Sequence, residues 1–340
     1  MSKQELETIA QSMVAKGKGI LAADESAGTI KRRFDSIKIE SNEKNRQAYR
    51  DMLLTTKGME EAIAGVILFD ETIRTKALDG TPFPQLLVKK GVLPGIKVDK
   101  GPVEIPSFPG ETVTEGLDGL RARVKEYREF GAKFAKWRAV INIGEGIPTY
   151  TCLEANAHAL ARYAALCQEG GLVPIVEPEV LLDGSHTIER CQEVTEQTLK
   201  VTFTALFLHR VHLEGMILKP SMVVSGKICP KQAGVEEVAE RTIQCLKRTV
   251  PAAVPGIAFL SGGQSAERAT EHLNAMNAMG AHPWEVSFSY ARALQDPALK
   301  AWKGEAGNVP VAQKLFYHRA KCNSAARSGK YTKAMEAQAA

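Results

Sequence analysis

The stretch "CLEANAHALARYAALCQEGGLVPIVEPE" (residues 152–179) decides the fold. Its first part has helical periodicity, with Leu153, Ala157, Leu160, Ala161 and Ala164 on one face. Gly170 and Gly171 then stop the helix, as a glycine C-cap should. An apolar run follows at once, and a continuous run of this kind predicts a strand buried on both faces, the mark of a parallel sheet. The same unit recurs in both directions along the chain. Short apolar runs ending in polar or Gly/Pro residues stand at "GILAADES" (19–26), "AGVILFDE" (64–71), "GIKVDKG" (95–101) and "FAKWRAVI" (134–141). They continue after "LVPIVEPE" (172–179) with "GMILKPS" (215–221), "GIAFLSGG" (256–263) and "WEVSFSYAR" (284–292). Helical stretches such as "VEEVAERTIQCLKRTV" separate most of them.

Eight strands alternating with helices can close in two ways, as an open doubly wound sheet or as a (β/α)8 barrel. No GxGxxG follows the first strand, and no break in composition marks a second domain. The sequence therefore predicts an α/β fold, a single (β/α)8 TIM barrel over residues 1–325. The small, polar residues 326–340 are expected to form a flexible C-terminal tail.

Composition narrows the function. The 340 residues are 44% hydrophobic and 24% charged, with a net charge of +5. That charge is mild and no dense basic stripe with aromatics is present, so nucleic acid is not an expected partner, while small anions are welcome. No run reaches membrane-spanning length and the amino-terminal segment lacks the apolar core of a signal peptide, so a cytoplasmic protein is expected. The six cysteines lie far apart with no CxxC or Cys/His ligand spacing, which predicts packed, reduced thiols rather than disulfides or a metal site.

In such barrels the chemistry sits at the carboxyl ends of the strands. There the sequence places Asp24, Lys97, Lys136, Arg138, Glu177, Glu179, Lys219, Ser261 and Arg292. Any one of them alone reads as a solvated strand end, and an isolated Lys219 ordinarily snorkels into water. Together they converge. Side chains alternate along a strand, so Glu177 and Glu179 share a direction, as do Lys136 and Arg138. A lysine that is desolvated or beside another cation loses its proton more easily and then attacks carbonyl carbon to form a Schiff base. Lys136 and Lys97 are the candidate cations for Lys219. The glutamates can supply an acid that expels water from the carbinolamine and a base that takes a hydroxyl proton. Asp24 could hold a substrate hydroxyl or stabilise the iminium.

Two anion sites are also legible. "LSGGQ" (260–264) follows the seventh strand and "SYAR" (289–292) the eighth, where barrels commonly bind phosphate through backbone N–H groups. Ser261, Gly262 and Gly263 suit that role, and Arg292 adds a charge-assisted bond. Ser26, Thr29, Arg33 and Lys97 suggest a second site at the amino end of a helix beginning near Gly28.

These motifs, with "FLSGGQS" and "FSYARAL", together resemble class I fructose-1,6-bisphosphate aldolase, in order and at compatible spacing from about Gly19 to Tyr331. The resemblance implies a metal-free, cofactor-free Schiff-base lyase of glycolysis and gluconeogenesis, in a family that usually forms homotetramers. Its implied reaction is the reversible retro-aldol cleavage of fructose 1,6-bisphosphate into dihydroxyacetone phosphate and glyceraldehyde 3-phosphate. It implies Lys219 as the Schiff-base lysine, Glu177 as the main acid/base group, and Glu179, Lys136 and Asp24 as its catalytic partners. Ser261, Gly262, Ala291 and Arg292 fall at the site for the ketone-side phosphate. Ser26, Thr29, Arg33, Lys97 and Arg138 are the remaining substrate-binding candidates, with threonine replacing the family's serine at position 29. Ala291 replaces a glycine of the vertebrate enzymes, where its methyl would crowd the phosphate. The vertebrate enzymes also end in a tyrosine that assists proton exchange on the enamine, whereas this tail, "MEAQAA", offers only Glu336, with no evident means of being held.

Three other readings compete: a barrel that kept its fold for scaffolding and lost turnover, a lysine aldolase for a different phosphosugar, and a metal-dependent aldolase. The retained lysine and carboxylates oppose the first, and the paired anion sites oppose the second, with fructose 1-phosphate left open as a secondary substrate. The lack of a His pair with ligand spacing near a strand end opposes the third.

Overall fold

The computed structural model describes residues 2–339. Ten strands form: β1 (Gly19–Ala23), β2 (Ile63–Leu68), β3 (Leu93–Lys97), β4 (Gly101–Glu104), β5 (Thr112–Glu115), β6 (Phe134–Ile141), β7 (Val173–Val180), β8 (Ile217–Leu218), β9 (Gly256–Phe259) and β10 (Glu285–Tyr290). Eight of them close a barrel in the order β1-β10-β9-β8-β7-β6-β3-β2, with every pairing parallel. The predicted (β/α)8 barrel is the fold found.

Its strands fall on the eight predicted runs, and two local features depart from the simple pattern. β8 is only two residues long, because Pro220 brings no N–H to the ladder. The chain nevertheless keeps its place. Lys219 N donates to Val176 O at 2.8 Å, and Pro220 O accepts from Leu260 N at 3.2 Å. The other feature is the antiparallel hairpin β4–β5 between β3 and β6. Short, mostly exposed and interrupted by prolines, its sequence carries no buried run to announce it.

The helix Tyr150–Gly170 ends as its sequence predicts, on Gly171 in the left-handed conformation (φ +79°). Inside the barrel, Phe134 fills the space beside β3, where a Cβ on Gly95 would lie 2.2 Å from the ring. The helix Lys3–Met13 buries Leu6, Ala10 and Met13 in one cluster with Phe134, Ile175 and Ile217. This plugs the amino end and leaves the carboxyl end of the strands open.

The final segment, where a flexible tail is expected over 326–340, lies against the last helix. Helix Val309–Ala326 packs against helices Arg292–Trp302 and Ala266–Ala278. After it, Tyr331 is buried, and Glu336, within a 3₁₀ stretch (Lys333–Ala339), pairs with Arg319 and accepts a hydrogen bond from Tyr331 Oη at 2.7 Å. A buried guanidinium needs a counter-charge, and Arg319 supplies the anchor that the sequence did not reveal.

Candidate active site

Twenty-two residues from the strand ends and their loops line a cavity of about 420 Å³. Seven cationic and five acidic side chains face it, a surplus that favours an anionic ligand.

At its floor four charged groups form a chain, each less than one-tenth exposed. β6 and β7 run in register, with Lys136 opposite Ile175 and Arg138 opposite Glu177, so the period-2 alternation aims Lys136, Arg138, Glu177 and Glu179 at the same mouth. Lys136 Nζ lies 2.7 Å from Asp24 Oδ2 and 3.2 Å from Glu177 Oε2. Lys219 Nζ lies 3.2 Å from the other oxygen, Glu177 Oε1. One carboxylate thus bridges two lysines. Burial alone would raise the Asp24 carboxyl, but Lys136 and then Lys219 outweigh it and hold it down to about 2. Burial likewise opposes ionisation of Glu177, and Lys136, Lys219 and Arg138 overcome it, so Glu177 stays below the usual carboxylate range. Burial also disfavours the Lys136 ammonium, yet Asp24 and Glu177 raise it above an ordinary lysine. The free site is therefore a network of ions.

Glu179 is engaged differently. It pairs with the Arg138 guanidinium, and Asp99 Oδ2 accepts from Arg138 N at 3.2 Å. Asp99 also holds Lys97, whose Nζ donates to Oδ1 at 2.6 Å and to the Asp99 carbonyl at 2.9 Å. Glu179 and Lys97 both line the cavity, with part of their charge already met by Arg138 and Asp99.

Two rims are prepared for anions. Gly262 and Gly263, after β9, take left-handed φ of +60° and +92°, and a Cβ on Gly263 would stand 3.1 Å from Arg292 Nη2. Ser261, Gly262, Ala291 and Arg292 all line the cavity, Ala291 just ahead of helix Arg292–Trp302. The φ of Ala291 is −100°, so alanine meets no left-handed strain there. Arg292 is exposed and has no hydrogen bond or ion pair among the described residues. On the other rim, helix Ala27–Asp35 begins with Ser26, whose side chain makes no capping bond. Its hydroxyl donates to Thr29 Oγ1 at 3.2 Å, which leaves the amino-terminal amides free for an anion.

Arg33 lines not this cavity but an adjoining one, together with Thr29, Arg32 and Arg292. Its guanidinium is tied to Glu25, to Asp296 at 2.7 Å and to Gln295 at 3.2 Å, and Arg32 takes the place on the rim. Arg32 lines both cavities.

Sequence reasoning also missed Asp99, Glu25, Lys100 and Ser289. Ser289, 1% exposed, lines the cavity and its Oγ has no partner. Alternation along β10 through Ser287, Ser289 and Ala291 was the signal that could have found it. Glu25 and Asp99 carry none, because their roles depend on Arg33, Arg50 and the Arg138 amide arriving from elsewhere.

Comparisons with known proteins agree with this geometry. The family model for fructose-bisphosphate aldolase class-I matches residues 5–340. The chain is 61% identical over 332 residues to a probable fructose-bisphosphate aldolase class 1 of Xanthomonas axonopodis pv. citri, covering 97% of this chain and 99% of that one. It is 54% identical over 331 residues to the fructose-bisphosphate aldolase of Dictyostelium discoideum, covering 96% and 93%. Among solved structures it resembles the fructose-bisphosphate aldolase of Plasmodium falciparum, with a TM-score of 0.96, 51% identity and coverage of 97% and 95%. The chain belongs to the class-I fructose-bisphosphate aldolase family, lyases that break and remake a carbon–carbon bond.

Proposed function

We propose that this chain cleaves fructose 1,6-bisphosphate through a Schiff base on Lys219, with Glu177, Lys136 and Asp24 moving and holding the protons and charges. The observation that carries the reading is the bridging of Lys219 and Lys136 by the two oxygens of Glu177, at 3.2 Å each. Glu177 can accept the proton that Lys219 must lose before its nitrogen attacks the substrate ketone carbon. In the neutral carbinolamine the nitrogen no longer holds the Glu177 pKa down. Glu177 therefore keeps the proton it has taken and stands in its acid form when the departing hydroxyl needs one.

The protonated iminium then withdraws the electron pair of the C3–C4 bond. A carboxylate, Glu177 or Asp24, takes the C4 hydroxyl proton and glyceraldehyde 3-phosphate leaves. Protonation of the resulting enamine carbon and attack by water on the iminium release dihydroxyacetone phosphate and restore Lys219. Lys136, paired with Asp24 and Glu177, keeps a positive charge beside the substrate hydroxyls. Ser261, Gly262, Ala291 and Arg292 hold one phosphate. Ser26, Thr29 and Arg32 hold the other, with Lys97 and Arg138 completing the wall.

Phe207 (80% exposed) and Leu208 (69%), at the end of helix Ile188–Leu208, support assembly into a homotetramer that would cover them. Six free, buried cysteines fit a reducing, cytoplasmic setting. No helix among the described residues is long and apolar enough to cross a membrane. Activity is tested by following triose phosphate release from fructose 1,6-bisphosphate. The wild-type chain should turn over and Lys219→Ala should not; equal rates would refute the assignment.

A further inference from the structure

Far along the chain from the catalytic lysine, three metal-ligating side chains of different types meet. His318 and Cys322 lie four residues apart on helix Val309–Ala326, so they share a face, a Cys/His ligand spacing where none is expected from the sequence. Glu336 comes from the 3₁₀ stretch that docks on that helix. His318 Nε2 is 3.5 Å from Cys322 Sγ and 3.7 Å from Glu336 Oε2, and the three ligand atoms all lie within 4.8 Å of one another. None of the three lines the catalytic cavity.

We propose that His318, Cys322 and Glu336 form a zinc site that ties the C-terminal segment to helix Val309–Ala326. Zinc bonds of ~2.3 Å to sulfur and ~2.0–2.1 Å to nitrogen or oxygen, at tetrahedral angles, put a sulfur and a nitrogen ligand ~3.6 Å apart and a nitrogen and an oxygen ~3.3 Å apart. The two measured separations are within a few tenths of an ångström of those edges. The donor set also matches: thiolate, imidazole and carboxylate together favour zinc over the oxygen-seeking calcium and magnesium.

Glu336 already has the outer support that zinc-binding carboxylates use. Tyr331 Oη donates to Oε1 at 2.7 Å, and the buried Arg319 guanidinium donates to Oε2, which keeps a second lone pair for the metal. Cys322 is buried, whereas the side chains of His318 and Glu336 are 14% and 25% exposed, which leaves an ion a way in and a fourth position for water. On binding, the Cys322 S–H bond breaks, the sulfur pair forms the S–Zn bond and one proton passes to solvent. The thiolate and the carboxylate bring two negative charges to the dication and the neighbouring Arg319, which leaves the cluster at +1.

The test titrates the full chain, stripped with a chelator, with Zn²⁺ alone and then with Co²⁺. Wild type should bind one equivalent of Zn²⁺, release a proton, and show a thiolate-to-cobalt charge-transfer absorption with Co²⁺. Cys322→Ser should lose that absorption, and Cys322→Ser, His318→Gln and Glu336→Gln should each bind Zn²⁺ at least about tenfold more weakly. Tyr331→Phe should lose about tenfold by loosening Glu336. Aldol cleavage by Cys322→Ser should stay at the wild-type rate, which checks that this variant is folded. Equal zinc affinity in wild type and Cys322→Ser would overturn the site. So would an absorption that survives unchanged in both His318→Gln and Glu336→Gln, because cysteine would then bind without the other two.

Discussion

Lys219 Nζ lies 3.2 Å from Glu177 Oε1, while the other oxygen of that carboxylate lies 3.2 Å from Lys136. An amine that must become neutral and a carboxylate that must become an acid are thus direct neighbours. Glu177→Gln keeps the shape and removes the proton exchange. It should lower kcat by about two to four decades with little change in KM. Steady-state kinetics on fructose 1,6-bisphosphate would show this, and a kcat within a few-fold of wild type would move the acid–base role to another residue.

Asp24 supplies a pH prediction. Its carboxyl is held at about 2 against an ordinary 3.8 because the Lys136 and Lys219 charges outweigh burial. The native state therefore binds this proton less readily than the unfolded chain. The resulting stabilisation, roughly 2 kcal/mol, is complete well above pH 4 and is lost as pH falls toward 2. The penalty of Asp24→Asn in urea melts should be smaller by roughly 1 kcal/mol at pH 3 than at pH 6. An equal penalty at both would mean that the Asp24 charge contributes nothing to stability.

Arg292 stands exposed at the mouth with no ion pair among the described residues. Arg292→Ala should weaken bisphosphate binding by ~1.5–3 kcal/mol, about one to two decades, mainly in KM. An unchanged KM would remove Arg292 from the phosphate site.

The C-terminal segment should matter little to turnover. Its one acidic side chain, Glu336, is held by Arg319 and Tyr331, and none of residues 333–337 lines the cavity. Removing residues 333–340 should change kcat by less than about threefold, under ~0.7 kcal/mol of barrier. The melting temperature should fall, since buried Arg319 loses its counter-charge. A hundredfold loss of proton exchange on dihydroxyacetone phosphate, with Schiff-base formation intact, would make the segment catalytic.

The barrel and its floor were legible because they obey short periods. Apolar runs gave the strands, and period-2 alternation aimed Lys136, Arg138, Glu177 and Glu179 the same way. What stayed hidden depends on long-range pairing. Arg33 reaches only the adjoining cavity because Asp296, 263 residues away, meets it. Asp99 is an ordinary loop aspartate until β6 brings the Arg138 amide to it. Glu336 looked solvated because nothing local announces that Arg319 is buried beneath it.

Trapping the intermediate shows whether carbonyl chemistry passes through Lys219. Borohydride added with dihydroxyacetone phosphate reduces the iminium to a stable secondary amine, and mass spectrometry of the digested chain locates it. The label should fall on Lys219 alone, in step with irreversible loss of activity. Labelling of Lys136, Lys97 or another lysine, or no label while activity persists, would take the carbonyl chemistry away from Lys219.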